Sequence, residues 1–318
     1  MKPASLVALL VLLSASPNAW ADVWPERPIR TVIPFGAGSA TDVIPRIVFE
    51  RMSSQLGQPI VVENRGGAGG SIGTAIVAKA KPDGYTLLAH SSAHTIAPSI
   101  YGNLGFHPAN DFAAIGSMGS VPNVLIISPS KGIKTLGEFV AKAKAKPGSF
   151  NFASVGVGSA VHLSAERFRM SAGYEAVHIP FKGGPEALTE VIAGRVDYYF
   201  CPVATALPHI RDGRLLALAV SSPTRAAALP DVPTTLEAGY PDSDYTLWIG
   251  LFAPAGTAPT IVQRLHSDLQ AAIKAPTVAE KLGGLGVQAM PLTSAEFGAA
   301  REVKTYDAFA RRAGMKVN

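Results

Sequence analysis

The sequence predicts an α/β fold built as two wound lobes joined by two crossing strands. Strand, glycine loop and helix alternate from residue 29 onward, and the pattern starts afresh after a long apolar strand at 121–127. The 31 glycines and 25 prolines are spread through the 318 residues, so the chain turns often between short packed elements. With 47% hydrophobic and 16% charged residues the composition is that of a globular chain, not a disordered one.

The elements follow in order. Ile29 to Ile33 is β-branched and partly alternating and runs into Pro34-Phe35-Gly36-Ala37-Gly38-Ser39-Ala40-Thr41-Asp42, a strand entering a glycine loop. From Val43 the apolar positions Ile44, Ile47, Val48, Met52 and Leu56 recur at helical spacing until Gly57, with Asp42 or Thr41 as the expected N-cap and Pro45 in the first turn. The unit repeats: strand Ile60-Val61-Val62, loop Asn64 to Gly70, helix Ser71 to Ala80, and a strand starting at Gly84 that runs through Leu87 toward Thr95 as a loop. After the apolar strand at 121–127 come a helix at Leu136–Ala145, a strand at Asn151–Ala153, the loop Ser154 to Ala160, and a helix carrying His162, Leu163, Phe168 and Met170. Strands at 177–181, 196–200 and 215–220, a helix at 186–193, a second apolar strand at 248–253, and helices at 259–275 and 294–312 complete the chain. Such alternation points to a parallel sheet in each lobe.

Residues 1–21 read as a leader. Lys2, eight apolar residues from Leu6 to Leu13, Pro17 and the small-x-small triplet Ala19-Trp20-Ala21 are the parts of a secretory signal peptide. Eight apolar residues fall far short of the roughly 20 that span a bilayer. The single cysteine, Cys201, excludes an internal disulfide framework and Cys-based zinc or iron–sulfur sites. A net charge of +5 with no Lys/Arg run longer than two gives no nucleic-acid footprint but suits attraction of small anions.

The chemistry concentrates in an echo. Gly36-Ala37-Gly38-Ser39-Ala40 and Gly156-Val157-Gly158-Ser159-Ala160 share the pattern G-x-G-S-A, each between a strand and a helix. Glycine lets backbone N–H groups approach a ligand, and the helix start behind it leaves unpaired N–H groups and a partial positive charge. Two such loops on facing lobes would grip an anion from both sides, with the serines as hydroxyl donors. A second echo links Ile33-Pro34-Phe35 to Ile179-Pro180-Phe181, which is followed by Lys182 and two glycines. The third glycine of a dinucleotide fingerprint is absent after Gly36-x-Gly38, no P-loop lysine follows any glycine cluster, and neither Ser39 nor Ser159 sits in a G-x-S-x-G elbow. His90 and His94, four apart, lack an obvious carboxylate third ligand for a metal. Phe35 and Phe181 either pack in the core or line the cleft.

Across the chain, in order, Pro34-Phe35-x-x-Gly38-x-x-x-Asp42, Val62-Glu63-Asn64-Arg65-x-Gly67-Ala68-Gly69-Gly70-x-Ile72-Gly73, Asp83-Gly84-Tyr85-Thr86-Leu87, Gly158-Ser159-x-x-His162-Leu163, Pro180-Phe181-Lys182-Gly183, Gly194-x-Val196-Asp197 and Pro233-Thr234-x-x-Glu237-x-Gly239 stand out. Together they resemble the Bug family, the extracytoplasmic receptors of tripartite tricarboxylate transporters. The resemblance implies a class II periplasmic binding protein fold, a periplasmic location, and capture of a small carboxylate, an aromatic acid or a dicarboxylate, for membrane permease subunits. It further implies a non-enzymatic monomer without cofactor or metal, and ligand contacts from loops at Phe35–Asp42 and Ala153–Ser159. The sequence departs from the family pattern at Ser39, where a second glycine is usual, and at Phe181, where a tyrosine is usual.

The expected domain organisation is a leader at 1–21, one lobe from 22–122 plus 250–318, and a second lobe from 123–249, with hinges at Val121–Asn123 and Trp248–Gly250. The expected ligand-binding residues are Phe35, Gly36, Ala37, Gly38, Ser39, Asp42, Ser91, His94, Ala153, Gly158, Ser159, His162, Phe181 and Lys182. Phe35, Phe181, His94 and Phe200 would favour an aromatic acid by stacking. The alternative from another class is a secreted serine hydrolase using Ser39 or Ser159 with His94 or His162 and Asp42.

Overall fold

The computed structural model describes residues 24–290, 292–297 and 308–315. The leader at 1–21 lies outside the described residues, and so does most of the helix expected at 294–312. Ser294 to Phe297, the described start of that stretch, are turns.

In chain order the elements are β1 (Ile29–Ile33), α1 (Ala40–Leu56), β2 (Ile60–Asn64), α2 (Ser71–Ala78), β3 (Thr86–Ser91), α3 (Ala93–Ile100), β4 (Phe112–Ile127), α4 (Leu136–Ala145) and β5 (Phe150–Ser154). There follow α5 (Ala160–Ala172), β6 (Ala176–Pro180), α6 (Gly184–Ile192), β7 (Tyr198–Pro202), α7 (Val203–Arg211), β8 (Leu216–Val220), β9 (Thr246–Pro254), α8 (Pro259–Lys274) and α9 (Pro276–Gly284). The strands lie in the order β2-β1-β3-β9-β4-β7-β5-β6, with β8 also on β4.

β4 is shared between the two lobes. Its first half, Phe112 to Pro122, pairs antiparallel with β9, and its second half, from Asn123 on, pairs with β7 and β8. The partner change falls between Pro122, opposite Thr246, and Asn123, opposite Pro202. At the same level the Ser221 N–H donates to the Asn123 carbonyl (2.8 Å), and the Tyr245 N–H donates to the Ser221 carbonyl (2.6 Å). On each side a β-α-β-α-β unit leads into the cleft: β1 pairs parallel with β2 and β3, and β5 pairs parallel with β6 and β7.

Each sheet is therefore mixed rather than parallel throughout. The strands that cross between the lobes, β4 and β9, return against the direction of the wound units and meet them antiparallel.

α1 begins at Ala40 with Ser39 as its N-cap, three residues before the apolar pattern starts. Asp42 is thus the third helical residue, and Pro45 lies in the second turn, where it removes one helix hydrogen bond. α3, α7 and α9 occupy stretches that carry no clear helical pattern, and α3 covers His94, expected on a loop.

Helices cover both faces of each sheet. In the first lobe α1, α8 and α9 bury Ile44, Val48, Met52, Leu265 and Leu269 against Ile29, Ile33, Ile249 and Leu251, while Val32, Leu88, Phe252 and Trp248 form a smaller cluster on the other face. In the second lobe β7 sends Tyr199 and Cys201 to one face and Tyr198 and Phe200 to the other, as a strand buried on both faces requires. Phe139 of α4 is fully buried, edge-on to Phe150 (5.3 Å), Tyr174 (5.8 Å) and Tyr198 (5.0 Å). Phe139→Ala should cost about 3–5 kcal/mol in urea denaturation, from lost burial and the cavity left among three rings.

Candidate functional site

The two G-x-G-S-A loops have the same conformation. Gly38 and Gly158 both have φ +78°, the left-handed region that glycine favours, and each is followed by a serine in extended backbone, Ser39 (φ −71°, ψ 160°) and Ser159 (φ −66°, ψ 154°). Each serine N–H turns back to the first glycine's carbonyl, Gly36 at 3.3 Å and Gly156 at 3.1 Å. Each second glycine donates its N–H to the side chain four residues on: Gly38 to Asp42 Oδ2 (2.9 Å) and Gly158 to His162 Nδ1 (3.1 Å).

This geometry aims helix starts into one cleft. In α1 the N–H groups of Asp42 and Val43 fold back on the Ser39 carbonyl, both at 2.9 Å, and those of Ala40 and Thr41 have no backbone acceptor among the described residues. In α5 the Leu163 N–H takes the Ser159 carbonyl (3.0 Å), and the N–H groups of Ala160 and Val161 stand as Ala40 and Thr41 do. All four residues line one cleft, with Phe35, Ser39, Ser91 and Leu247 on one side and Val155, Ser159, Gly184, Tyr199, Cys201, Pro202 and Thr205 on the other. The Ser39 hydroxyl, buried at 8% exposure, has no hydrogen-bond partner, and burial keeps the Tyr199 hydroxyl neutral by pushing its pKa well up. No lining side chain carries a charge. Convergent N–H groups, the free Ser39 hydroxyl and helix dipoles in an uncharged, largely apolar cleft suit an anionic head with an apolar body.

Among the expected ligand-binding residues, Phe35, Ser39, Ser91 and Ser159 line this cleft, and Gly36, Ala37, Gly38 and Gly158 shape its loops. Asp42 and His162, 3% and 4% exposed, hold the loops from behind. Asp42 also takes Arg46 Nε and Asn64 Nδ2, both at 2.9 Å, and Asn64 donates in turn to the Phe35 carbonyl (3.0 Å).

The side chains of the other four lie elsewhere, although the Lys182 carbonyl stands across from Gly36 at the edge of the cleft. His94 is in the first-lobe core, its Nε2 3.1 Å from the Pro108 carbonyl among Phe106, Phe112 and Phe252, and burial pushes its pKa down to about 4. Ala153 is buried in β5, Phe181 packs on the second-lobe core, and the Lys182 side chain is exposed. Phe200, which was expected to stack on an aromatic ligand, is on the face of β7 turned away from the cleft. The second echo joins unlike places: Phe35 follows β1, whose counterpart is β5, while Phe181 follows β6.

Tyr199, Leu247 and the helix-start residues were not foreseen. Placing the N-cap at Ser39 would have marked Ala40 and Thr41.

Neither candidate serine is set up as a nucleophile. Ser39 Oγ has no hydrogen-bond partner, Ser159 Oγ donates to the Gly156 carbonyl (2.7 Å), and His162 Nδ1 is occupied by Gly158. Ser154 Oγ does meet His178 Nε2 (2.5 Å), but Ser154 is fully buried and also bonded to Gly156. His178 stacks on His162, with ring centroids 3.9 Å apart.

The model of the tripartite tricarboxylate transporter family receptor, TctC, matches residues 44–300. The chain belongs to this receptor family. It is 36% identical to the protein BugT of Bordetella pertussis over 302 residues, 93% of this chain and 92% of BugT. The structure of periplasmic binding protein BugD superposes with a TM-score of 0.88 at 33% identity, covering 92% of this chain and 99% of that one. MatC from Rhodopseudomonas palustris with bound malate superposes with a TM-score of 0.86 at 30% identity, covering 90% and 99%. The Bug resemblance read from the sequence and the two-lobed periplasmic binding protein fold both hold. Where the family pattern has glycine, Ser39 meets no conformational obstacle, because its φ is negative.

Two outcomes follow from this site. Ser39→Ala removes a hydroxyl that bonds nothing in the protein, so melting should stay within about 1 °C of wild type while anion affinity falls about fivefold or more by calorimetry. The second concerns acid. Burial lowers the pKa of His90, His94, His162 and His178, to about 4 for His94 and His178. The unfolded chain takes up these protons near pH 6.5 and the folded chain only at lower pH, so their stabilisation is complete above about pH 6.5 and is lost as pH falls toward 4. The melting temperature should drop steadily between pH 7 and 4.5, less steeply in His178→Gln.

Proposed function

We propose that the protein is a periplasmic receptor that closes two lobes on one small carboxylate and presents it to the membrane permease subunits of a tripartite tricarboxylate transporter. The observation that carries this reading is the pair of matched helix starts, α1 and α5, whose unpaired N–H groups converge on a cleft without a charged side chain. An anion between them completes the hydrogen bonding of both lobes at once, so binding favours the closed arrangement. Malate in MatC, a structural relative, is a ligand of the same chemical class.

The lobes divide as 22–122 with 250–318, and 123–249. The partner change of β4 at Pro122 and Asn123 supports the first boundary, and the crossing at Tyr245–Thr246 lies a few residues before the second. Closure is a hinge motion at these crossings. The protein acts as a monomer, without cofactor, metal or nucleic acid, and catalyses no reaction.

The ligand is an aromatic acid or a short dicarboxylate. Phe35 offers a ring, and Val155, Pro202 and Leu247 offer apolar walls; a third carboxylate would lie against them without a cation to pair with. Titration calorimetry with benzoate, nicotinate, malate, adipate and citrate tests the reading: micromolar binding is expected for at least one of the first four and none for citrate. Binding of citrate alone, or of no carboxylate, would sink it. Gly158→Val should abolish binding while the protein stays soluble, because a Cβ at Gly158 lies 2.7 Å from Ile100 Cδ1 and a β-branched residue strains at φ +78°.

A further inference from the structure

The second anion loop is held by a bond from the opposite lobe. Tyr101 ends α3, and its hydroxyl donates to the Val157 carbonyl at 2.8 Å. Val157 is the variable residue inside Gly156-Val157-Gly158. The N–H of the same peptide unit belongs to Gly158 and donates to His162 Nδ1 at 3.1 Å. One peptide plane is thus held at both ends, its oxygen by the first lobe and its N–H by the second.

The surroundings fit a contact made by closure. Gly69 of the first lobe passes beside the Val157 oxygen so closely that a Cβ there would overlap it, and a Cβ on Gly156 would stand 3.3 Å from the Gly69 nitrogen. Glycine meets glycine where the lobes touch.

We infer that Tyr101 is a positioning residue that couples lobe closure to the shape of the carboxylate cradle. The inference rests on reading the cleft as a carboxylate site closed between two lobes. When the lobes part, Tyr101 withdraws and the 157–158 peptide keeps only its bond to His162. Glycine at 158 leaves that peptide free to tilt, and with it the turn that leads into the fixed N–H groups of Ala160 and Val161. Closure restores the second bond and the cradle together. Burial raises the Tyr101 pKa to about 12, so the hydroxyl remains a donor throughout the neutral range.

Tyr101→Phe removes the bond and keeps the ring. Spin labels on Ser54→Cys and Ala141→Cys, exposed positions on helices of opposite lobes, report the interlobe distance in a Cys201→Ala background, because Cys201 lines the cleft that opening uncovers. With malate and without it, Tyr101→Phe should lower the ratio of closed to open molecules about fivefold, the loss of one net hydrogen bond. Gly69→Ala, which wedges the same contact, should shift the distribution the same way. A Tyr101→Phe distribution identical to wild type overturns the inference, and so does a variant that melts lower without moving it. Because the distances are read without reference to affinity, a shift with no carboxylate bound in calorimetry keeps the latch and rejects the carboxylate reading.

Discussion

Unpaired backbone N–H groups at the starts of two helices, lining one uncharged cleft, are the constraint around which this molecule is arranged. A buried donor without an acceptor costs about 1–3 kcal/mol, and here Ala40, Thr41, Ala160 and Val161 all carry one. Such groups persist only if the backbone beneath them has no easier conformation. Gly38 and Gly158 supply the left-handed turn, Ser39 and Ser159 the extended residue, and Asp42 and His162 lock the glycine N–H from behind. An aspartate does this in one lobe and a histidine in the other, so the shared requirement is an acceptor at one place behind the loop.

In the function proposed above, the cleft attracts an anion without a cation. A lysine or arginine there would have to shed water each time the lobes closed, and would need a partner each time the ligand left. Helix dipoles and fixed N–H groups are already oriented, so they need little reorganisation on binding. The net charge of +5 contributes only at longer range, from exposed side chains such as Lys182. Attraction at a distance and recognition at contact are thereby separate properties of different residues.

What could be read from the chain was whatever local rules determine. The strand-to-helix glycine loops, the restart after 121–127 and the amphipathic helices α1, α4 and α8 show in spacing alone. α3 and α7 did not, because Pro98 and Pro208 interrupt them and each opens within a residue or two of a strand without an intervening turn signal. α9 follows α8 across the single residue Ala275. The pairing of Phe35 with Phe181 failed for a topological reason: similar words stood at the ends of strands with different places in the two units. Tyr199 and Leu247 reach the cleft only because β7 and β9 meet β4 there, which no local pattern encodes. His94 looked like a site residue because a buried imidazole in an aromatic core and one in a cleft are spelled alike.

The interleaving of the lobes bears on how the chain reaches its destination. β3 finds its outer neighbour only in β9, with Leu88 opposite Phe252, so the whole second lobe lies between two strands of the first. A chain delivered amino end first must keep β3 waiting until its last third arrives, and pairings so distant in sequence form slowly. For a receptor exported unfolded, as the periplasmic reading proposed above requires, such a delay would hinder premature folding on the inner side of the membrane and keep the polypeptide threadable. In that reading the same topology would both hinge the finished receptor and favour its passage as an unfolded strand.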